Sequence, residues 1–157
     1  VPETFVRRCH FQVSPERLFV WHAEPGAFAR LAPPGEPIEQ VSPDRGLREG
    51  ERVELRIGLG PFRFPWTAEI RDVRPGLGFR DIQIRGPFRR WEHEHRMEPD
   101  GADGSWLEDR ITYELPLGFL GRWLAGPLIR KKLDRLFAYR HWVTAKEVGP
   151  ASGGPSQ

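Results

Sequence analysis

The chain has 157 residues, 38% of them apolar, with 24 Lys and Arg against 22 Asp and Glu, a net charge of +2 and one cysteine. That length suits one domain with one core and is short for two. No stretch approaches the roughly 20 apolar residues that cross a bilayer, a lone Cys9 excludes an intramolecular disulfide framework or an all-cysteine zinc cage, and so small a net charge gives no reason to expect nucleic acid as a partner. The opening segment VPETFVRRCHF lacks the basic-then-apolar order of a secretory signal, so a cytoplasmic setting is expected.

A first strand is predicted over Thr4 to Val13, with Phe5, Cys9, Phe11 and Val13 on one parity. Ser14-Pro15-Glu16 is a helix start: a capping serine, proline at the first helical position and an acid in the first turn. The short helix runs to about His22 and buries Leu18, Phe19 and His22; after Pro25-Gly26 a second carries Phe28 and Leu31. Strands follow. Ile38 to Val41 is weak. Glu51 to Ile57 alternates cleanly, with Val53, Leu55 and Ile57 on one face. The Gly58-Leu59-Gly60-Pro61 turn leads to Phe62 to Val73, which sets Trp66, Ala68 and Ile70 together. Phe79 to Arg85, Phe88 to Met97 and Trp106 to Leu115 complete the set.

A long helix is predicted from Gly126-Pro127 to about Lys146, with Ile129, Leu133, Leu136, Phe137 and Val143 on one stripe. Residues 1–148 are expected to form a single domain, and the Gly-, Pro- and Ser-rich residues 149–157 a flexible tail. The order of strand, two short helices, about six further strands and a long helix is an α+β plan, with one antiparallel sheet covered by the apolar stripe.

Strand parity separates the polar residues that point inward. In Trp91-Glu92-His93-Glu94-His95-Arg96-Met97 the even positions are charged, so His93 and His95 face the helix-covered side with Trp91 and Met97. Asp109 and Tyr113 share the inward parity of Leu107 and Ile111; Asp81 and Gln83 share a face with Phe79 while Ile82 and Ile84 share the other, so either Asp81 points inward or that strand is shielded on both sides. Arg140 interrupts the helix stripe. An unpaired buried polar group costs about 1–3 kcal/mol, so these residues either satisfy one another (Asp109 with Arg140 or a histidine) or line a cavity. Cys9 reads as a small core residue and not a nucleophile.

Several segments in this order resemble a known family: Leu31-Ala32-Pro33-Pro34, Gly50-Glu51-Arg52-Val53, Trp66-Thr67-Ala68, Phe79 to Phe88, Trp91-Glu92-His93-Glu94-His95, Asp109 to Pro116 and Phe137-Ala138-Tyr139-Arg140-His141. From about Phe5 to Val143 the chain resembles the SRPBCC ligand-binding domains, the START/Bet v 1-like superfamily labelled polyketide cyclase/dehydrase. The nearest subgroup is a short bacterial one with a W-x-H-x-H strand, also found fused to sugar-epimerase-like proteins; here the domain is expected to stand alone. The resemblance implies a helix-grip fold: a curved antiparallel sheet of six to seven strands wrapped around a long C-terminal helix, with a cavity between. It also implies lipid carriers, hormone receptors, cyclases, aromatases and oxygenase domains as functional relatives.

The expected function is binding of a small hydrophobic or aromatic molecule in that cavity. Trp66, Trp91, Met97, Tyr113 and Leu136 are its candidate walls, and Asp81, His93, His95, Asp109 and Arg140 its candidate polar anchors. The alternative is a cyclase-, dehydratase- or aromatase-type enzyme with His93 and His95 as general acid and base. His-x-His on a strand also suits joint metal ligation, but needs a third ligand from Asp81, Asp109 or the outward-facing His10; no metal and no cofactor is expected. Leu117 to Leu128, with Phe119, Leu120, Arg122, Trp123 and Leu124, is expected to pack on the sheet edge in preference to a membrane.

Overall fold

The computed structural model describes residues 1–59 and 61–149, without the side chains of residues 59, 119, 120, 122 and 124. Gly60 of the predicted turn, residues 150–157 of the expected tail, and the side chains of Phe119, Leu120, Arg122 and Leu124 lie outside the described residues.

The elements are β1 (Glu3–Phe11), α1 (Pro15–Ala23), α2 (Ala27–Arg30), β2 (Ile38–Gln40), β3 (Arg52–Leu59), β4 (Phe62–Arg74), β5 (Gly78–Arg85), β6 (Arg90–Asp100), β7 (Gly104–Glu114) and α3 (Gly118–Val148). The strands form one seven-stranded sheet in the order β1-β7-β6-β5-β4-β3-β2. Every neighbouring pair is antiparallel. The sheet curves around α3, which makes this the helix-grip fold of the START and Bet v 1 proteins.

Curvature has a local cause in β4. Its pairing with β5 shifts register between Thr67 and Ala68 and again between Arg71 and Arg74. Extra residues of this kind bend a strand and sharpen its twist. At the second shift Asp72 takes a left-handed conformation (φ 53°). The Glu49 carboxylate accepts from the N–H groups of Asp72 and Val73, at 3.2 and 2.8 Å.

Alternation does what a half-buried strand requires. In β7, Ser105, Leu107, Asp109, Ile111 and Tyr113 are all buried, and the residues between them are partly exposed. Helix α1 begins as its sequence dictates, with Ser14 Oγ accepting from Arg17 N at 3.3 Å and Pro15 in the first turn. Ser14→Ala is expected to lower stability by about 1 kcal/mol, read from urea denaturation. Trp21 of α1 donates to Glu147 at 3.0 Å, and Arg30 of α2 meets the same carboxylate at 3.0 Å, so one acid near the end of α3 ties down both short helices.

Helix α3 opens at Gly118, ahead of the predicted Gly126-Pro127, and Pro127 lies inside it. Proline suits a first helical turn, which is why it reads as a start. Here Pro127 and Trp123, the residue whose carbonyl lacks a donor, are both exposed, so water can replace the missing bond. No helix among the described residues is long and apolar enough to cross a membrane.

The core has two parts. Phe11, Leu18, Phe19, Trp21, Phe79, Met97 and Leu107 pack between α1, the sheet and Val143 and Val148 of α3. Phe5, Ile111, Tyr113 and Leu115 pack against Leu133 and Phe137 of α3. A polar cluster sits between them.

Candidate functional site

Strand register builds that cluster. On β5 and β6, Asp81 stands directly opposite His93. On β6 and β7, His95 stands directly opposite Asp109. All four point inward, so two carboxylates and two imidazoles converge. Helix α3 adds a third imidazole, because His141 follows Leu133 and Phe137 at four-residue steps on the buried stripe.

Asp109 is the hub and is 2% exposed. Its Oδ1 lies 2.8 Å from His93 Nε2, and its Oδ2 lies 2.5 Å from His141 Nε2. His95 Nδ1 stands 2.9 Å from Oδ1, close enough to pair electrostatically but without hydrogen-bond alignment. Asp81 Oδ2 completes the set at 3.1 Å from His93 Nδ1 and 3.3 Å from His95 Nε2. Aromatic rings wall the cluster. Phe79 stacks on His95 with centroids 4.0 Å apart, and Phe137 meets His93 edge-on at 5.1 Å.

Close packing of strands holds this register. Gly78 opens β5 at φ 140°, and a Cβ there would meet the His95 carbonyl oxygen at 1.9 Å. Only glycine lets β5 lie this close to β6 at that point.

Charge follows from geometry. Burial alone would push the His93 imidazole down, but the charge of Asp81 and the hydrogen bond to Asp109 outweigh it and raise it to about 9. His141 behaves alike: burial is overcome by the hydrogen bond to Asp109, and it too rises to about 9. Both are imidazolium ions at neutral pH. Burial would raise Asp81 and Asp109, but the adjoining imidazoles hold both below the usual carboxylate range. His22 is the opposite case. Its Nδ1–H donates to the Leu18 carbonyl at 2.8 Å, and burial lowers it to about 4, so it stays neutral.

Beside the cluster lies a partly open cavity of about 250 Å³ between the sheet and α3. A cavity of about 150 Å³ already holds benzene, so this volume admits a larger apolar molecule. Its walls include Val53, Leu55 and Ile57 of β3 and Leu136 of α3. Trp66 and Trp91 also line it and pack edge to face with centroids 5.1 Å apart. Its polar lining includes Asp81, His93, His95, His22 and Arg140.

The expected site residues therefore divide. Trp66, Asp81, Trp91, His93, His95, Leu136 and Arg140 line the cavity together. Asp109 stands behind the histidines and touches a separate small void between Leu107 and His141. Met97 is core beneath Phe79 and Leu107. Tyr113 is core beside Phe5, and its hydroxyl donates to Glu3 at 3.2 Å, away from the cavity. Gln83 spends its amide on the Phe88 carbonyl at 2.8 Å. His10 faces away from the cluster and pairs with Asp100 at 2.9 Å. Cys9 is half-buried against the core. His141, to which the sequence pattern assigns no role, and His22, expected only in the core, also belong to the site. Four-residue spacing from Phe137 is the signal that places His141 on the buried face.

Asp81, His93 and His95 each offer a ligand atom, all within 4.8 Å of one another. A divalent ion there requires both imidazoles to be neutral. Pairing with Asp81 and Asp109 engages the same ring nitrogens, and on His93 it favours the proton.

The geometry defines a helix-grip domain with an apolar cavity and a buried His–Asp cluster. A family model described as polyketide cyclase / dehydrase and lipid transport matches residues 11–138, and the chain belongs to that family. No curated protein matches it. Among solved structures, norcoclaurine synthase from Thalictrum flavum, in complex with dopamine and hydroxybenzaldehyde, aligns at 16% identity over 94% of this chain and 87% of that one, with a TM-score of 0.70. A START superfamily protein from Mycobacterium smegmatis aligns at 13% identity over 92% and 96%, with a TM-score of 0.67. The nucleoside-diphosphate sugar epimerase from Corynebacterium glutamicum aligns at 22% identity over 90% of this chain but 28% of that one, with a TM-score of 0.67. At these identities the likeness establishes the fold.

Proposed function

We propose that the protein binds a small hydrophobic or aromatic molecule in the cavity between the sheet and α3, in a cytoplasmic setting. The observation that carries this reading is the cavity itself: about 250 Å³ that aliphatic and tryptophan side chains line without filling. Apolar area removed from water there supplies affinity at roughly 25 cal/mol per Å², less the costs of association. Asp81 and Asp109 hold His93 and His95 at both ring nitrogens, so Asp81, His93 and His95 form a fixed polar edge to the cavity. Membership of a family that includes lipid transport supports the same reading.

Tryptophan fluorescence reports on occupancy, because Trp66 and Trp91 line the cavity. Titration with 2-naphthaleneethanol, a neutral aromatic probe, is expected to saturate at one molecule per chain. Leu136→Trp fills the space and is expected to weaken that binding at least tenfold while the circular dichroism spectrum stays unchanged. No saturable binding, or a Leu136→Trp protein that binds as well, would overturn the reading.

A second reading, catalysis of the cyclase, dehydratase or aromatase type, has one observation in its favour. A neutral imidazole, His22, and a protonated one, His93, line the same cavity, as acid–base chemistry requires. That assignment moves the base from the pair His93 and His95 to His22. If catalysis occurs, His22→Phe removes turnover and leaves probe binding in place.

A further inference from the structure

The charged groups that line the cavity outside the cluster are Glu24, Asp44, Lys132 and Arg140. Three of them have partners. Lys132 pairs with Glu36 at 2.9 Å, and Glu24 meets Arg30 at 3.5 Å. Asp44 accepts from the N–H groups of Gly26 and Gly46, at 2.6 and 2.9 Å. Arg140 differs. No carboxylate among the described residues lies within ion-pair distance of its guanidinium, and its buried Nε has no hydrogen-bond partner. Its guanidinium carbon lies 5.1 Å from the Phe137 ring centre and 6.0 Å from that of Phe28. Ring faces hold a cation in place but leave its in-plane N–H donors open.

The local charge balance points the same way. Asp81 and Asp109 are already paired with His93 and His141, so neither aspartate is left to offset the charge of Arg140. Burial disfavours that charge, and the two aspartates relieve it only from a distance. Arg140 is half-buried with its Nε fully so, and a guanidinium does not shed its proton to escape the cost of partial desolvation. A planar anion offered by a ligand satisfies both the charge and the donors, because carboxylates match the guanidinium fork in a bidentate way.

We infer that the natural ligand is amphipathic: an apolar or aromatic body against β3 and Leu136, and a carboxylate or similar planar anion received by Arg140. This deepens the cavity reading above and rests on it. Arg140 is then the residue that sets specificity between an acid and the matching alcohol.

The test compares 2-naphthaleneacetate with 2-naphthaleneethanol, which share the aromatic body and differ in the anionic group. Calorimetric titration of the unmodified protein is expected to give at least tenfold tighter binding of the acetate. Arg140→Gln is expected to remove that preference, weakening the acetate at least tenfold more than it weakens the alcohol. Arg140→Lys keeps the charge without the fork and is expected to fall between the two; it decides the matter if the glutamine variant does not fold. Equal affinity of the unmodified protein for both probes would overturn the anion assignment and leave the cavity reading standing. An acetate preference that survives Arg140→Gln would overturn the role of Arg140. Failure of both probes to bind would overturn the cavity reading itself.

Discussion

Asp109→Asn is expected to destabilise the protein by about 3–5 kcal/mol, the cost of breaking a buried ion pair by removing one partner. The size follows from how much this carboxylate does. It is 2% exposed, hydrogen-bonds His93 and His141, and lies 2.9 Å from His95 Nδ1. Asparagine keeps the shape and one acceptor oxygen but loses the charge that holds two buried imidazolium ions. Those rings must then lose their protons on folding or stay charged without a counter-ion. Asp81→Asn is expected to cost less, because the Asp81 side chain is 21% exposed and the variant leaves Asp109 in place. Urea denaturation of both variants measures the difference. A loss below about 1 kcal/mol for Asp109→Asn would mean that the cluster is neutral and not an ion-pair network.

The second large effect is a stability profile that falls on the alkaline side. His93 and His141 titrate near 6.5 in the unfolded chain and near 9 in the folded one. A raised folded value contributes stability that is fully present below about pH 6.5 and is lost as pH rises to about 9. His22 has the opposite sign. Its folded value is lowered to about 4, so it contributes stability above about pH 6.5 that is lost as pH falls towards 4. Asp81 and Asp109, held below the carboxylate range, add a further loss at acid pH. The thermal midpoint is therefore expected to peak near about pH 6.5 and to drop by several degrees towards about pH 9, since each kcal/mol moves a domain of this size by a few degrees. In Asp109→Asn the alkaline slope is expected to flatten. A midpoint constant from about pH 6.5 to 9 in the unmodified protein would contradict the assigned protonation states.

Much of this was legible in particular residues. Charges at Glu92, Glu94 and Arg96 fix which face of β6 is wet, and so place His93 and His95 inside. Ser14-Pro15-Glu16 marks the start of α1 because a cap, a restricted φ and an acid all favour the same point. The parity of β5 is harder to read. Ile82 and Ile84 share the outer face, where Ile84 is 47% exposed, so hydrophobicity alone does not show that Asp81 is the inward residue. The start of α3 is misread because Pro127 imitates a first turn. Parity also gives the face of a residue but not its depth. Met97 and Tyr113 point inward as expected, yet Phe79, Leu107, Phe5 and Ile111 crowd around them and leave no cavity there. His141 escapes notice because a stripe sought through its apolar members passes over a histidine whose partner, Asp109, lies 32 positions away in sequence.

Binding in the space between the sheet and α3 places an apolar molecule against the methyl groups that line it. Nuclear Overhauser contacts between 2-naphthaleneethanol and methyl-labelled protein test it most directly. Contacts are expected from the naphthyl protons to the methyls of Val53, Leu55, Ile57 and Leu136, which line the cavity. Contacts confined to outward methyls such as those of Val20 and Ile84, with none to the cavity set, would contradict it.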